Sequence, residues 1–89
     1  MGIEMKKLLY IEDKNAVNGL DLERIPFNYI VALEFTDLRD QLEGCRFQEL
    51  IIFSKKRDDR LERTFLNSLQ TPLPDIIIFK ESRYLSKYL

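Results

Sequence analysis

The chain has 89 residues, near-equal numbers of basic (14) and acidic (15) side chains, no histidine, no tryptophan and one cysteine. Without an imidazole there is no histidine general base, no Ser-His or Cys-His nucleophilic pair and no histidine-ligated zinc. A single cysteine excludes an intramolecular disulfide and any cysteine-rich metal site. The length holds one small domain that buries roughly 60–65% of its unfolded surface, and 45% apolar with 33% charged residues is the balance of a water-soluble globule.

The chain opens MGIEMKKLLY, and Glu12 and Asp13 interrupt the first apolar stretch, so no signal-peptide core is expected there. No apolar run approaches the roughly 18 residues of a membrane span. With no disulfide framework, the expected setting is intracellular and cytoplasmic, without membrane association.

Four short apolar runs follow one another: Leu8-Leu9-Tyr10-Ile11, Tyr29-Ile30-Val31-Ala32-Leu33, Leu50-Ile51-Ile52-Phe53 and Ile76-Ile77-Ile78-Phe79. Each is continuous and rich in β-branched or aromatic residues, the pattern of a strand buried on both faces. The gaps between them are long enough for crossover connections. The first, Lys14 to Phe27, contains Asn15, Asn18, Gly19 and Pro26, which weaken helix, while Leu20, Leu22 and Ile25 could pack as a short helical turn. If that connection is mostly loop, a mixed sheet with an antiparallel first strand at an edge is the alternative.

In the second gap, Thr36 or Asp37 is placed to cap a helix with Leu38, Leu42 and Cys45 on one face, and Gly44 to stop it in a left-handed conformation. Cys45 is thereby expected in the core. In the third gap, Asp58 and Asp59 put negative charge in a first helical turn, Leu61, Phe65, Leu66 and Leu69 form an apolar stripe, and Pro72 and Pro74 end the helix. Asp59 and Arg63 stand at the stabilising i,i+4 spacing. Finally, Ser82 is placed to cap a short C-terminal helix that sets Tyr84, Leu85, Tyr88 and Leu89 on one side. The expected fold is a single small α/β domain of about four mainly parallel strands alternating with helices, with Rossmann-like or flavodoxin-like layering.

In such sheets ligands bind beyond the carboxyl ends of the strands. Those positions hold Glu12, Asp13 and Lys14, then Glu34, Thr36 and Asp37, then Ser54, Lys55 and Lys56, then Lys80, Glu81 and Ser82. Glu12, Asp13 and Asp37 supply oxygen donors suited to Mg²⁺, and Ser54, Lys55 and Lys80 supply groups suited to phosphate. The same residues serve equally as solvated strand ends and helix caps. The segment Lys55 to Arg63 is locally basic, and Lys55, Lys56, Arg57 and Arg60 form a candidate phosphate-contacting patch for nucleic acid. No aromatic residue is interleaved there, as single-strand binding prefers.

The order of these groups loosely resembles the response-regulator receiver domain, in which an acidic pair follows the first strand and an aspartate, a hydroxyl and a lysine follow later ones. The resemblance would make Glu12 and Asp13 the acidic pair, Asp37 the phosphoacceptor, Ser54 the hydroxyl and Lys80 the lysine. The chain departs from that pattern in its length, in placing Asp37 four residues past the second run, and in carrying Glu81 after the lysine where proline is usual. A Toprim-like nuclease fold would need an acidic DxD pattern where Ser54-Lys55-Lys56-Arg57 stands.

Three readings remain open on sequence. The leading one is a non-enzymatic binding or regulatory module acting through protein contacts or self-association, with Tyr84, Leu85, Tyr88 and Leu89 as the candidate interface and no cofactor. The others are a Mg²⁺-dependent phosphate-handling domain and a weak nucleic-acid binder.

Overall fold

A computed structural model describes residues 6–88. All four apolar runs are strands: β1 (Lys7–Ile11), β2 (Tyr29–Ala32), β3 (Glu49–Ser54) and β4 (Ile76–Glu81). They form one parallel sheet in the order β2-β1-β3-β4, so β1 lies inside the sheet and the mixed arrangement is not adopted.

The strand period of two divides the core into two layers. Leu8, Tyr10, Leu50 and Ile52 face the helices α1 (Phe35–Gly44) and α2 (Asp59–Leu69), where Leu38, Leu42 and Leu69 meet them. Tyr10 stacks on Phe65 at 5.5 Å between ring centres, and Phe35 meets Phe65 edge-on at 5.8 Å. Leu9, Ile11, Ile51 and Phe53 face the other way, onto the 3-10 segments η1 (Lys14–Val17) and η3 (Ser82–Lys87), which supply Ala16, Val17 and Leu85, with Leu20 from the turn before a third, η2 (Leu22–Arg24).

The first connection is therefore two 3-10 turns, each started by an aspartate. Asp13 accepts from the Asn15 N–H at 3.2 Å and Asp21 from the Glu23 N–H at 3.1 Å. The connection after β1 leaves over the 3-10 face toward β2. Those through α1 and α2 run over the other face in the opposite direction, which gives every crossover the same hand.

Several helix details differ from the sequence expectation. Helix α1 begins at Phe35 with Glu34 at its cap position and no side-chain cap, so Thr36 and Asp37 lie in its first turn. It ends at Gly44 without a positive φ, and Cys45, extended at φ −141°, is exposed. The helix stops one residue short of the position that would have carried Cys45 into the core. At α2, Asp58 is the cap, accepting from the Arg60 and Leu61 N–H groups at 2.9 and 3.2 Å. Leu61 is 66% exposed, leaving Phe65, Leu66 and Leu69 to face the sheet. The left-handed residue that ends a helix is Gln70, at φ 51° and ψ 36°. Asp59 and Arg63 are not among the ion pairs of the described residues; Glu62 instead binds Arg57.

Among the described residues no helix is long and apolar enough to cross a membrane.

Candidate functional site at the carboxyl edge of the sheet

The chain leaves β1 toward one side of the sheet and β3 toward the other, so the carboxyl ends of β1 and β3 are its topological switch point, the usual ligand crevice of an open α/β sheet. The Glu12 N–H donates to the Phe53 carbonyl at 2.9 Å and carries the β1–β3 ladder one residue past the end of β1. Glu12, Asp13, Ser54, Lys55 and Lys56 surround this point.

Three clefts open from this edge. On the α face, one of about 290 Å³ includes Glu12, Ser54, Lys56 and Asp58. The Ser54 hydroxyl is already engaged there, donating to the Lys56 carbonyl at 3.2 Å. On the other face, η3 divides the surface. One side of it holds a cleft of about 440 Å³ with Asp13, Asn15, Lys55, Ser82, Arg83 and Ser86. The other side holds one of about 410 Å³ with Arg57, Lys80, Tyr84, Lys87 and Tyr88.

The periodicity of η3 explains this division. A 3-10 helix has three residues per turn, so side chains at i and i+3 eclipse. Ser82, Leu85 and Tyr88 therefore share the inward stripe, Arg83 and Ser86 one flank, and Tyr84 and Lys87 the other. Leu85 is 1% exposed, and Tyr88 meets Phe53 edge-on at 5.3 Å. The expected interface on this segment is thus split. Leu85 and Tyr88 pack on the chain's own core, Tyr84 stays near the surface with Arg83 and Lys87 over its ring at 4.8 and 4.9 Å, and Leu89 lies outside the described residues. An α-helical period of 3.6 would have set Tyr84 beside Tyr88.

The same stripe carries Ser82 inward. It is the one polar residue buried as a whole among the described residues, and its Oγ has no hydrogen-bond partner. A buried, unpartnered hydroxyl costs about 1–3 kcal/mol. The sequence pattern places Ser82 as a helix cap, but the cap position is Glu81, which makes no side-chain cap bond. No sequence signal marks a buried serine of this kind, because its burial depends on the 3-10 period.

The other candidate residues are dispersed. Glu12 is exposed on the α-face cleft, Asp13 caps η1 on the opposite face, and Asp37 is exposed in the first turn of α1, outside the cleft that holds Glu12. Among the described residues no three Asp, Glu, His or Cys side chains gather into a group that could hold a metal ion. Ser54, Lys55 and Lys80 each line a different cleft.

The basic patch also fans out. Lys55 and Lys56 go to opposite faces, and Arg60 is exposed in the first turn of α2. Arg57 donates two hydrogen bonds to Glu62, at 3.1 and 3.0 Å. That contact holds the Arg57 guanidinium above the ordinary arginine range, the hydrogen bond contributing more than the charge. On the β2 side, Lys14 pairs with Glu34 across the sheet edge; both are more than half exposed, so the pair adds little to stability.

No family model matches this chain, and no curated protein or solved structure matches it either.

Proposed function

We propose that this chain is a small non-enzymatic binding module that works through protein contacts, and that its contact surface is the outer edge of β4, which receives the same strand of a second copy. The observation that carries this reading is the contrast between β3 and β4. Leu50, Ile51, Ile52 and Phe53 of β3 are 0–1% exposed, whereas no residue of β4 is buried, although Ile76-Ile77-Ile78-Phe79 is equally apolar. Ile76 is 46% exposed, and Leu73 just before it is 36% exposed.

An edge strand offers unpaired N–H and C=O groups, and proteins usually blunt it with charge, proline, a bulge or shortness. Strand β2, at the opposite edge, has four residues; β4 has six and carries charge only at its end, Lys80 and Glu81. A net charge of −1 leaves two copies with little long-range repulsion.

A two-fold axis normal to the sheet sets a residue of β4 opposite its own copy. Centred on Ile78, the pairing opposes Ile77 to Phe79 and Ile76 to Lys80. This register makes the sign of charge at position 76 diagnostic. Ile76→Lys sets lysine against lysine and weakens the dimer, while Ile76→Glu sets glutamate against lysine and preserves or strengthens it. Each cross-strand pair is worth roughly 0.2–1 kcal/mol and occurs twice in the dimer. Sedimentation equilibrium of the two variants and the parent checks the order. A monomer at every concentration overturns self-pairing and leaves the edge to a strand from a different protein.

A further inference from the structure

The cleft between η1 and η3 carries a feature that β4 pairing leaves unused. Ser82 is buried there with an unpartnered Oγ, and the groups around it are mostly hydrogen-bond donors. The side chains of Asn15, Lys55 and Ser86 make no hydrogen bond or ion pair among the described residues. Arg83 donates to Glu81 at 3.4 Å in a largely exposed pair. Asp13 is the opposing charge, and its carboxylate is occupied by the Asn15 N–H as the cap of η1.

We infer that this cleft binds a small phosphate-bearing ligand. A phosphoryl group presents several acceptor oxygens and no obligatory donor, the complement of two serine hydroxyls, an amide and two cations. Among the charged residues that line the cleft, Lys55 and Arg83 outweigh Asp13 by one, with Arg83 also paired to Glu81 beyond the lining. Leu20 and Leu85 give the cleft an apolar wall for the carbon portion of the ligand, and its volume of about 440 Å³ lies in the usual range for small-ligand sites. The cleft opens at the switch point of the sheet, beside the carboxyl ends of β1 and β3, where open α/β sheets place ligands. In the free protein the Ser82 hydroxyl lacks a partner; in the bound protein it donates a hydrogen bond to a phosphoryl oxygen.

Thermal unfolding of the full chain in phosphate and in chloride at equal ionic strength tests the site, with ³¹P line broadening as a direct readout of binding. Phosphate raises the Tm in a concentration-dependent way through mass action. Ser82→Ala and Lys55→Gln reduce phosphate affinity at least about tenfold, the loss of a charge-assisted or buried hydrogen bond. Ser82→Ala leaves the Tm in chloride at or above that of the parent. Lys80→Gln, in the cleft on the other side of η3, leaves phosphate affinity unchanged. Equal Tm and unbroadened ³¹P signal in the parent overturn the inference, as does an unchanged response in Ser82→Ala or a loss confined to Lys80→Gln. The ³¹P response of the parent, Ser82→Ala and Lys55→Gln involves no residue of β4, so it is read apart from β4 pairing.

Discussion

Gln70 is the non-glycine residue that the backbone holds at positive φ among the described residues, at 51° where α2 ends. Residues with a Cβ adopt that region at a cost that glycine avoids, and helices commonly end on glycine in this conformation. Gln70→Gly is accordingly predicted to stabilise the protein by about 0.5–1 kcal/mol, the strain relieved exceeding the added freedom of the unfolded chain; urea unfolding measures it. Gly44, by contrast, is helical and makes no such demand, and a Cβ there would meet nothing within 4 Å.

Two groups have pKa values that folding raises. Lys7 is held above the ordinary lysine range, first by its hydrogen bond to Glu49 at 3.3 Å and then by that carboxylate's charge. Tyr10 is pushed above the ordinary tyrosine range, first by burial and then by the charges of Glu12 and Glu34. A pKa raised on folding gives stability that is complete below the unfolded value and lost as pH rises through the folded one. The protein is therefore predicted to lose stability above about pH 10, where unfolded tyrosine and lysine begin to deprotonate. Tyr10→Phe, which keeps the ring against Phe65, flattens that decline in denaturant titrations across pH.

Among the elements, η3 separates packing from surface most clearly. Its period of three puts Leu85 in the core and Tyr84 outside it. Leu85→Ala is predicted to cost about 2–5 kcal/mol, as core truncations do, and Tyr84→Ala to stay within about 0.5–1 kcal/mol once its cation contacts are lost. Equal losses in thermal unfolding would mean that η3 packs with a different face inward.

The strands were legible in the sequence because four continuous β-branched runs leave few alternatives, and α2 because Asp58 and Phe65, Leu66 and Leu69 mark its cap and inner face. The C-terminal segment is ambiguous in sequence because six residues look alike at periods of 3.0 and 3.6, yet the two periods put different side chains inward. That one difference moves Ser82 into the interior and parts Tyr84 from Tyr88. Cys45 departs from its expected place for a similar local reason: the apolar periodicity of α1 continues in sequence past the residue where its backbone turns extended.

For the whole molecule, the strand-end residues could be identified from sequence, but not the direction in which each leaves the edge. The strand period of two sends Ser54 and Lys56 to one face and Lys55 to the other, crossovers lie on both faces, and the single charged site that the sequence suggests becomes three clefts. Strand order leaves β4, the longer of the two outer strands, without a second neighbour.

Hydrogen exchange of the full chain at low and high protein concentration, read amide by amide, tests the role of β4 most directly. Pairing of β4 with its copy predicts that protection of the β4 amides on the outer edge rises with concentration, while the amides on the free edge of β2 exchange at a constant rate. Exchange from β4 that is independent of concentration, or protection that rises at β2 instead, would contradict the assignment of the β4 edge as the contact surface.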